Sequence, residues 1–180
     1  MGLRQILLEG DESLRKVCRE VTDFGERTAA LMDDLSETML AANGAGLAAP
    51  QVGILRRAVV IIDNDDKVLE LINPEVIWQS EEQVGEFEGC LSVPGRRAYL
   101  MRPQRVKVRA YNRHGEQFEV ELEDIAARAA CHETEHLDGK LFIDRADKVY
   151  TEEELDELFA EMEESEQQES HAPRKKRRKK

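Results

Sequence analysis

Fifteen residues from Ile125 to Gly139, IAARAACHETEHLDG, restrict this chain more than any other stretch. Ile125, Ala129, His132 and His136 recur at helical spacing, and with about 3.6 residues per turn the two histidines project from one face, one turn apart. Two imidazoles so placed can grip one metal ion. Asp124 reads as the N-cap and Gly139 as the stop, which frames the segment as a single helix. A site built there would stand on a rigid element.

The five residues His132-Glu133-Thr134-Glu135-His136 form the HExxH pattern, in which the glutamate after the first histidine is the general base for metal-activated water. Glu133 is offset by about 100° from His132 around the helix, so it can lie beside a metal rather than on it. The plain alternative is a helix whose charged residues face water. That alternative has to account for two of the chain's four histidines standing behind the Ala-rich turn Ala126 to Ala130.

A length of 180 residues with 41% hydrophobic side chains suits one globular domain. The formal charge of −12 hides a split, because Arg174 to Lys180 (RKKRRKK) carries seven positive charges and the remainder stands at −19. So acidic a body argues against DNA or general nucleic-acid binding by the domain itself, and only the tail is suited to it. The opening MGLRQILLEGDESLRK is broken by charge too early for a signal peptide or a membrane span, so no membrane contact and a cytoplasmic location are expected. Met1-Gly2 is not followed by the Ser or Thr that myristoylation wants, since Ile6 stands there. Cys18, Cys90 and Cys131 are an odd number without an export signal, so they are expected to stay reduced and available as ligands.

Along the chain, Asp11 to Val21 reads as a short helix and Glu26 to Ala42 as a longer one, with Leu31, Leu35, Met39 and Ala42 on one stripe. Gly44 to Gly53, GAGLAAPQVG, is a small-residue segment carrying one long amide, Gln51; it reads either as an ordinary loop or as a place of close backbone approach. From Ala58 the pattern is of strands: AVVIID, then Val68 to Ile72, Val76 to Trp78, Gln83 to Leu91, Arg105 to Tyr111 and Gln117 to Leu122, with a turn at Val93-Pro94-Gly95. The fold class expected is α+β, antiparallel strands packed around the His132 helix. Thr151 to Glu154 is a capping box opening an acidic helix with Leu155, Leu158, Phe159 and Met162 on a narrow stripe.

Cys90 lies in FEGCLSVP. A small buried residue in a strand is the ordinary fate of such a thiol. Yet a thiolate with two histidines would leave one position of a tetrahedral Zn or Fe site open for water. Cys131 is less suited, because its neighbour His132 points about 100° away. Cys18 reads as inert core.

GAGLAAPQ at Gly44 to Gln51, EGCLSVP at Glu88 to Pro94 and HETEHLDG at His132 to Gly139 together resemble the three motifs of the peptide deformylases, in that family's order. The resemblance runs from about Ile6 through Asp144 and includes LINPE at Leu71 to Glu75. It implies that Cys90, His132 and His136 hold a divalent metal, Fe2+ in the usual member with Zn2+ or Ni2+ as substitutes. It implies that Glu133 shuttles the proton, and that Gln51, the Leu91 backbone N–H and Gly46 meet the substrate. The reaction implied is hydrolysis of the formyl group from the N-terminal formyl-Met of newly made polypeptides. Cys131 and Glu135 depart from the Gln and Asp usual in the family, which bears on the residues that orient the histidines rather than on the ligands.

The domain plan expected is a catalytic domain over 1–147, an acidic amphipathic helix over 148–165, and a disordered linker and basic tail over 166–180. Because nascent chains emerge at the ribosome, the tail Arg174 to Lys180 is a candidate for contact with ribosomal RNA. Two rivals bound the reading. A zinc peptidase shares HExxH but takes its third ligand further along the chain, where none is convincing after His136; a binding protein that had lost activity would not need Cys90, Gln51 and Glu133 together.

Overall fold

Val106, Val108 and Ala110 alternate with charged residues, and this period of two sends all three to one side of a strand, where they are fully buried. The computed structural model, which describes residues 2–171, makes that strand the fourth of five in an antiparallel sheet. Its members are β1 (Gly46–Ala48), β2 (Ala58–Ile62), β3 (Val68–Gln79), β6 (Arg105–Tyr111) and β7 (Gln117–Glu123), in the order β1-β2-β3-β6-β7. A second antiparallel sheet holds β4 (Gln83–Cys90), β5 (Val93–Pro103) and β8 (Tyr150–Thr151), in that order. Three helices complete the described chain: α1 (Glu26–Ala41), α2 (Asp124–Leu137) and α3 (Glu152–His171).

The continuous apolar run of β2 is explained by what covers it. Val59 and Ile61 face α2 with its Ala126, Ala127 and Ala130, whereas Ala58 and Val60 face α1 with Leu35 and Met39. A strand covered on both faces loses the polar alternation of a half-wet one. The alanines let the α2 backbone lie close to the sheet, and the other side of α2 is left for the histidines. On that side the three-stranded sheet closes over a separate cluster of Leu14, Val93, Ala98, Leu100, Leu141 and Phe142.

Helix α2 ends as its sequence predicts. Gly139 has φ +71, the Lys140 N–H reaches the Glu135 carbonyl at 3.1 Å and the Gly139 N–H reaches that of His136 at 3.1 Å. Its start differs from expectation. Glu123 is the N-cap and Asp124 is already the first helical residue, at φ +53, its N–H donating to the Gln104 carbonyl and its carboxylate accepting from the Gln104 side chain.

Four other expectations are corrected. Asp11 to Val21 is not a helix beyond a 3-10 turn at Glu12–Arg15; the Cys18 N–H goes to the Leu137 carbonyl at 2.8 Å and Arg19 bridges Arg56, so tertiary partners take the backbone groups that a helix would use. Val68 to Ile72 and Val76 to Trp78 are one strand, carried past Asn73 (φ +50) by register shifts. Val93-Pro94-Gly95 is not a turn but the start of β5, the chain reversing earlier at Leu91-Ser92. Gly44 to Gly53 is neither loop nor helix throughout, but β1 followed by a 3-10 turn at Ala49–Val52.

The capping box forms, with the Thr151 N–H on Glu154 at 2.8 Å and the Glu154 N–H on Thr151 Oγ1 at 3.2 Å. Helix α3 then runs on past residue 165 to His171, through Glu, Gln and Ser residues that include good helix formers. Of its stripe, Leu155 is buried and Phe159 meets the ring of Phe87 edge-on at 5.5 Å. The basic stretch Arg174 to Lys180 lies outside the described residues. No helix among the described residues is long and apolar enough to cross a membrane.

Candidate active site

Cys90 ends β4 at an irregularity in its register with β5, where the chain is about to reverse. That position turns its sulfur toward the buried turn of α2 that carries His132 and His136. Cys90 Sγ lies 3.3 Å from His136 Nε2, and His136 Nε2 lies 3.1 Å from His132 Nε2. All three donor atoms fall within 4.8 Å of one another. Such spacing fits atoms that share one divalent ion at roughly 2.0 to 2.3 Å each, and a soft thiolate with two imidazoles is a donor set for Zn or Fe. Burial and the nearby charge of His132 hold His136 well below the usual imidazole range, so His136 stands ready as a neutral ligand.

His132 is aimed by a neighbour. Its Nδ1 donates to Glu88 Oε1 at 2.6 Å, which leaves Nε2 for the metal position. Glu88 also accepts from Arg102 Nη2 at 2.7 Å, Arg102 Nε at 3.0 Å and Arg128 Nη1 at 3.0 Å. Burial alone would raise the Glu88 carboxyl, but the hydrogen bonds from His132 and Arg102 outweigh it and hold this group far below the usual carboxylate range. Arg102 passes the chain on to Glu135 Oε1 at 2.8 Å, and Arg145 closes on the same oxygen.

Glu133 occupies the other flank. The residue is 4% exposed, and its buried Oε2 has no hydrogen-bond partner among the described residues. Burial pushes its carboxyl up to about 7, against the charge of His132 that lowers it. A buried carboxyl with that affinity and one free oxygen can take and return a proton near neutral pH. Gly46 makes the placement possible: a Cβ there would sit 2.5 Å from Glu133 Oε1.

Gln51 completes the arrangement. Its Oε1 accepts the Ala48 N–H at 2.8 Å, so Nε2 is forced the other way, toward Ser92 Oγ at 3.1 Å and Cys90 Sγ at 3.5 Å. Gly46, Gln51, Cys90, Leu91, His132 and Glu133 all line one cleft of about 420 Å³. All seven residues to which the family resemblance gave a role are therefore brought together, His136 joining through its contacts with Cys90 and His132. Cys131 is not among the clustered donors, as its helical offset predicts.

The sequence matches the family model described as "Polypeptide deformylase" over residues 3–152. The chain belongs to the polypeptide deformylase family. It is 51% identical over 156 residues to a peptide deformylase of Acetivibrio thermocellus, covering 87% of this chain and 91% of that one. The fold is similar to the crystal structure of peptide deformylase from Thermotoga maritima, with TM-score 0.78 and 40% identity over 82% of this chain and all of that one. It is also similar to a class I type b peptide deformylase from Acinetobacter baumannii bound to Met-Ala-Ser, with TM-score 0.75, 31% identity, and 80% and 98% coverage.

Where this deformylase chain departs from the family pattern, the structure gives the reason it can. Glu135, standing for the usual Asp, reaches Arg102 and Arg145. Cys131 is half-buried beside them, its thiol pushed up by burial. Neither touches the three donors. Sequence reasoning missed Glu88, Arg102, Arg128 and Ser92, which orient the ligands and Gln51. Only Glu88 had a legible signal: two residues before Cys90 on a strand, it must share the side of the sheet that faces the metal helix. Ile125, expected on the metal face, is 64% exposed and forms a rim of the cleft.

Proposed function

We infer that this chain removes the formyl group from the N-terminal formyl-Met of newly made polypeptides, releasing formate. The observation that carries the reading is the convergence of Cys90, His132 and His136 on one point beside a buried, half-unpartnered Glu133. Cys90, His132 and His136 would hold a divalent cation, Fe2+ with Zn2+ or Ni2+ as substitutes, which would supply Lewis acidity and bring the pKa of water down toward about 7.

The remaining work belongs to the chain's own side chains. Glu133 takes a proton from the attacking water as its oxygen bonds to the formyl carbon. Negative charge then grows on the carbonyl oxygen, where Gln51 Nε2 and the Leu91 N–H donate to it. Ala48 and Ser92 hold the Gln51 amide in that direction before substrate arrives. Glu133 returns the proton to the methionine nitrogen as the C–N bond breaks, leaving a free amine and formate. Gly46 contributes the absence of a side chain, which gives Glu133 its room.

The substrate backbone has a place to lie. β1 and β4 are each an outer strand of their sheet, and both border the cleft, so an extended peptide can pair with an open edge. A zinc peptidase of the usual HExxH kind is disfavoured, because the third donor comes from Cys90, before the helix rather than after it. We assign catalysis to residues 1–147 and place the protein in the cytoplasm, with the tail Arg174 to Lys180 contacting ribosomal RNA. Cosedimentation with ribosomes that is unchanged by deleting the last seven residues would reject that contact.

The test of the function is formate release from formyl-Met-Ala-Ser by protein purified without oxygen. Turnover that disappears in Cys90→Ala together with the metal supports it. Casein digestion without formate release contradicts it.

A further inference from the structure

Beyond the cleft, one apolar face has no assigned role. In antiparallel register Gly89 pairs with Arg97, Phe87 with Tyr99 and Gly85 with Met101, so these six share the outer face of the β4–β5 ribbon, turned away from α2. Tyr99 is 54% exposed and Met101 52%, and Phe159 of α3 flanks them at 44%. Phe87 sits at the centre, meeting Tyr99, Tyr150 and Phe159 edge-on at 5.4, 5.7 and 5.5 Å.

Two details direct this face toward the cleft. A Cβ on Gly85 would lie 2.1 Å from the Tyr99 hydroxyl and 2.7 Å from Met101 Sδ, so both side chains lean across β4 toward its open edge. That hydroxyl makes no hydrogen bond with a described residue. At the same time the Val84 carbonyl accepts from Arg128 Nη2 at 2.8 Å, which closes the edge at that point. A peptide following the edge away from Cys90 is stopped there and turned onto the outer face. Phe87 and Arg97 belong both to this face and to the cleft wall, so the two surfaces are continuous.

We propose that Phe87, Tyr99, Met101 and Phe159 form an extended subsite for the substrate chain, holding apolar or aromatic side chains about four to six residues from the formyl group. The inference rests on the deformylase reading. Its reach follows from strand geometry: Gly89 to Gly85 is four steps of about 3.3 Å, roughly 13 Å, which a tripeptide seated at the metal does not span. Contact made equally before and during reaction lowers KM and leaves kcat alone. The Tyr99 hydroxyl supplies a hydrogen bond to the passing backbone, and the rings supply area.

The experiment compares two formylated heptapeptides, both beginning formyl-Met-Ala-Ser, with Phe and Leu or with Ser and Gly at positions four to six. In the wild-type enzyme the apolar peptide should have a KM at least about fivefold below that of the polar one, at equal kcat. In Tyr99→Ser that ratio should fall to within twofold. Gly85→Ala, which pushes both side chains off the strand while keeping them in the protein, should reduce it as well. Equal KM values in the wild-type enzyme, or a ratio kept by both variants, would overturn the subsite while turnover of formyl-Met-Ala-Ser still upheld the deformylase reading. Failure to release formate from any of the three peptides would overturn both. Sedimentation showing a dimer that Tyr99→Ser dissociates would assign the face to a second copy and overturn the subsite alone.

Discussion

Gly46 and Glu133 meet across the cleft so closely that a single methyl group on Gly46 would come within 2.5 Å of the Glu133 carboxylate oxygen and 2.9 Å of its carbon. One strand of the larger sheet and one helix thus set the position of the base together. Gly46→Ala must displace the carboxylate, and a misplacement near 1 Å costs about 10²-fold in rate. Kinetics on formyl-Met-Ala-Ser should show kcat reduced by that order, with metal content unchanged.

Glu133→Gln separates catalysis from stability. Turnover should vanish while metal remains bound. In the metal-free protein the sign runs the other way: a carboxyl raised from 4.5 to about 7 adds stability fully present below 4.5, and that contribution is lost as pH rises through 7. Ionising it inside costs the fold up to about 3 kcal/mol. Urea unfolding of the metal-free forms should therefore find Glu133→Gln more stable than wild type at pH 8, with the difference shrinking toward pH 5.

Glu88→Ala removes the acceptor shared by His132, Arg102 and Arg128. Losing the partner of a metal-binding histidine typically costs about 10- to 100-fold in metal affinity. Breaking a buried ion pair by deleting one member costs about 3 to 5 kcal/mol besides. Competition with a chelator should show the first effect and thermal unfolding the second. The dual loss distinguishes Glu88 from Glu133.

Gln51→Ala deletes a donor whose direction is set by Ala48 and Ser92. Removing one donor to a developing oxyanion costs roughly 10²- to 10³-fold in kcat. The circular dichroism spectrum and metal content should not change. Ser92→Ala should have the same sign and a smaller size, because it frees the amide to turn without removing it.

Much of the site was legible because its parts follow local rules. The helix that carries His132 and His136 has a clean period, a small-residue face and a glycine stop; it stops where expected and starts one residue earlier. Cys90 was legible only through its motif, since no local rule says that a strand residue 42 positions before His132 will meet it. Arg102 was hidden because a buried ion pair leaves no periodic mark and it reads from sequence as an ordinary charged strand residue, whereas Glu88 could be placed on the side of Cys90 by strand alternation but not given its partners. The fold was misread where long-range partners override local preference. Pro94 and Gly95 look like a turn, yet they open β5, and two residues on Arg96 and Arg97 pair with β8, a partner more than 50 residues later. Asp11 to Val21 has a helical look that is lost to the Leu137 and Arg56 neighbours.

Catalysis depends on one thiolate and two imidazoles sharing a single cation. X-ray absorption at the edge of the bound metal, on protein purified without oxygen, reads that directly. One sulfur at about 2.3 Å with two nitrogens at about 2.0 to 2.1 Å, and loss of the sulfur signal in Cys90→Ala, is the result expected. A shell of nitrogen and oxygen alone in the wild-type protein would contradict it.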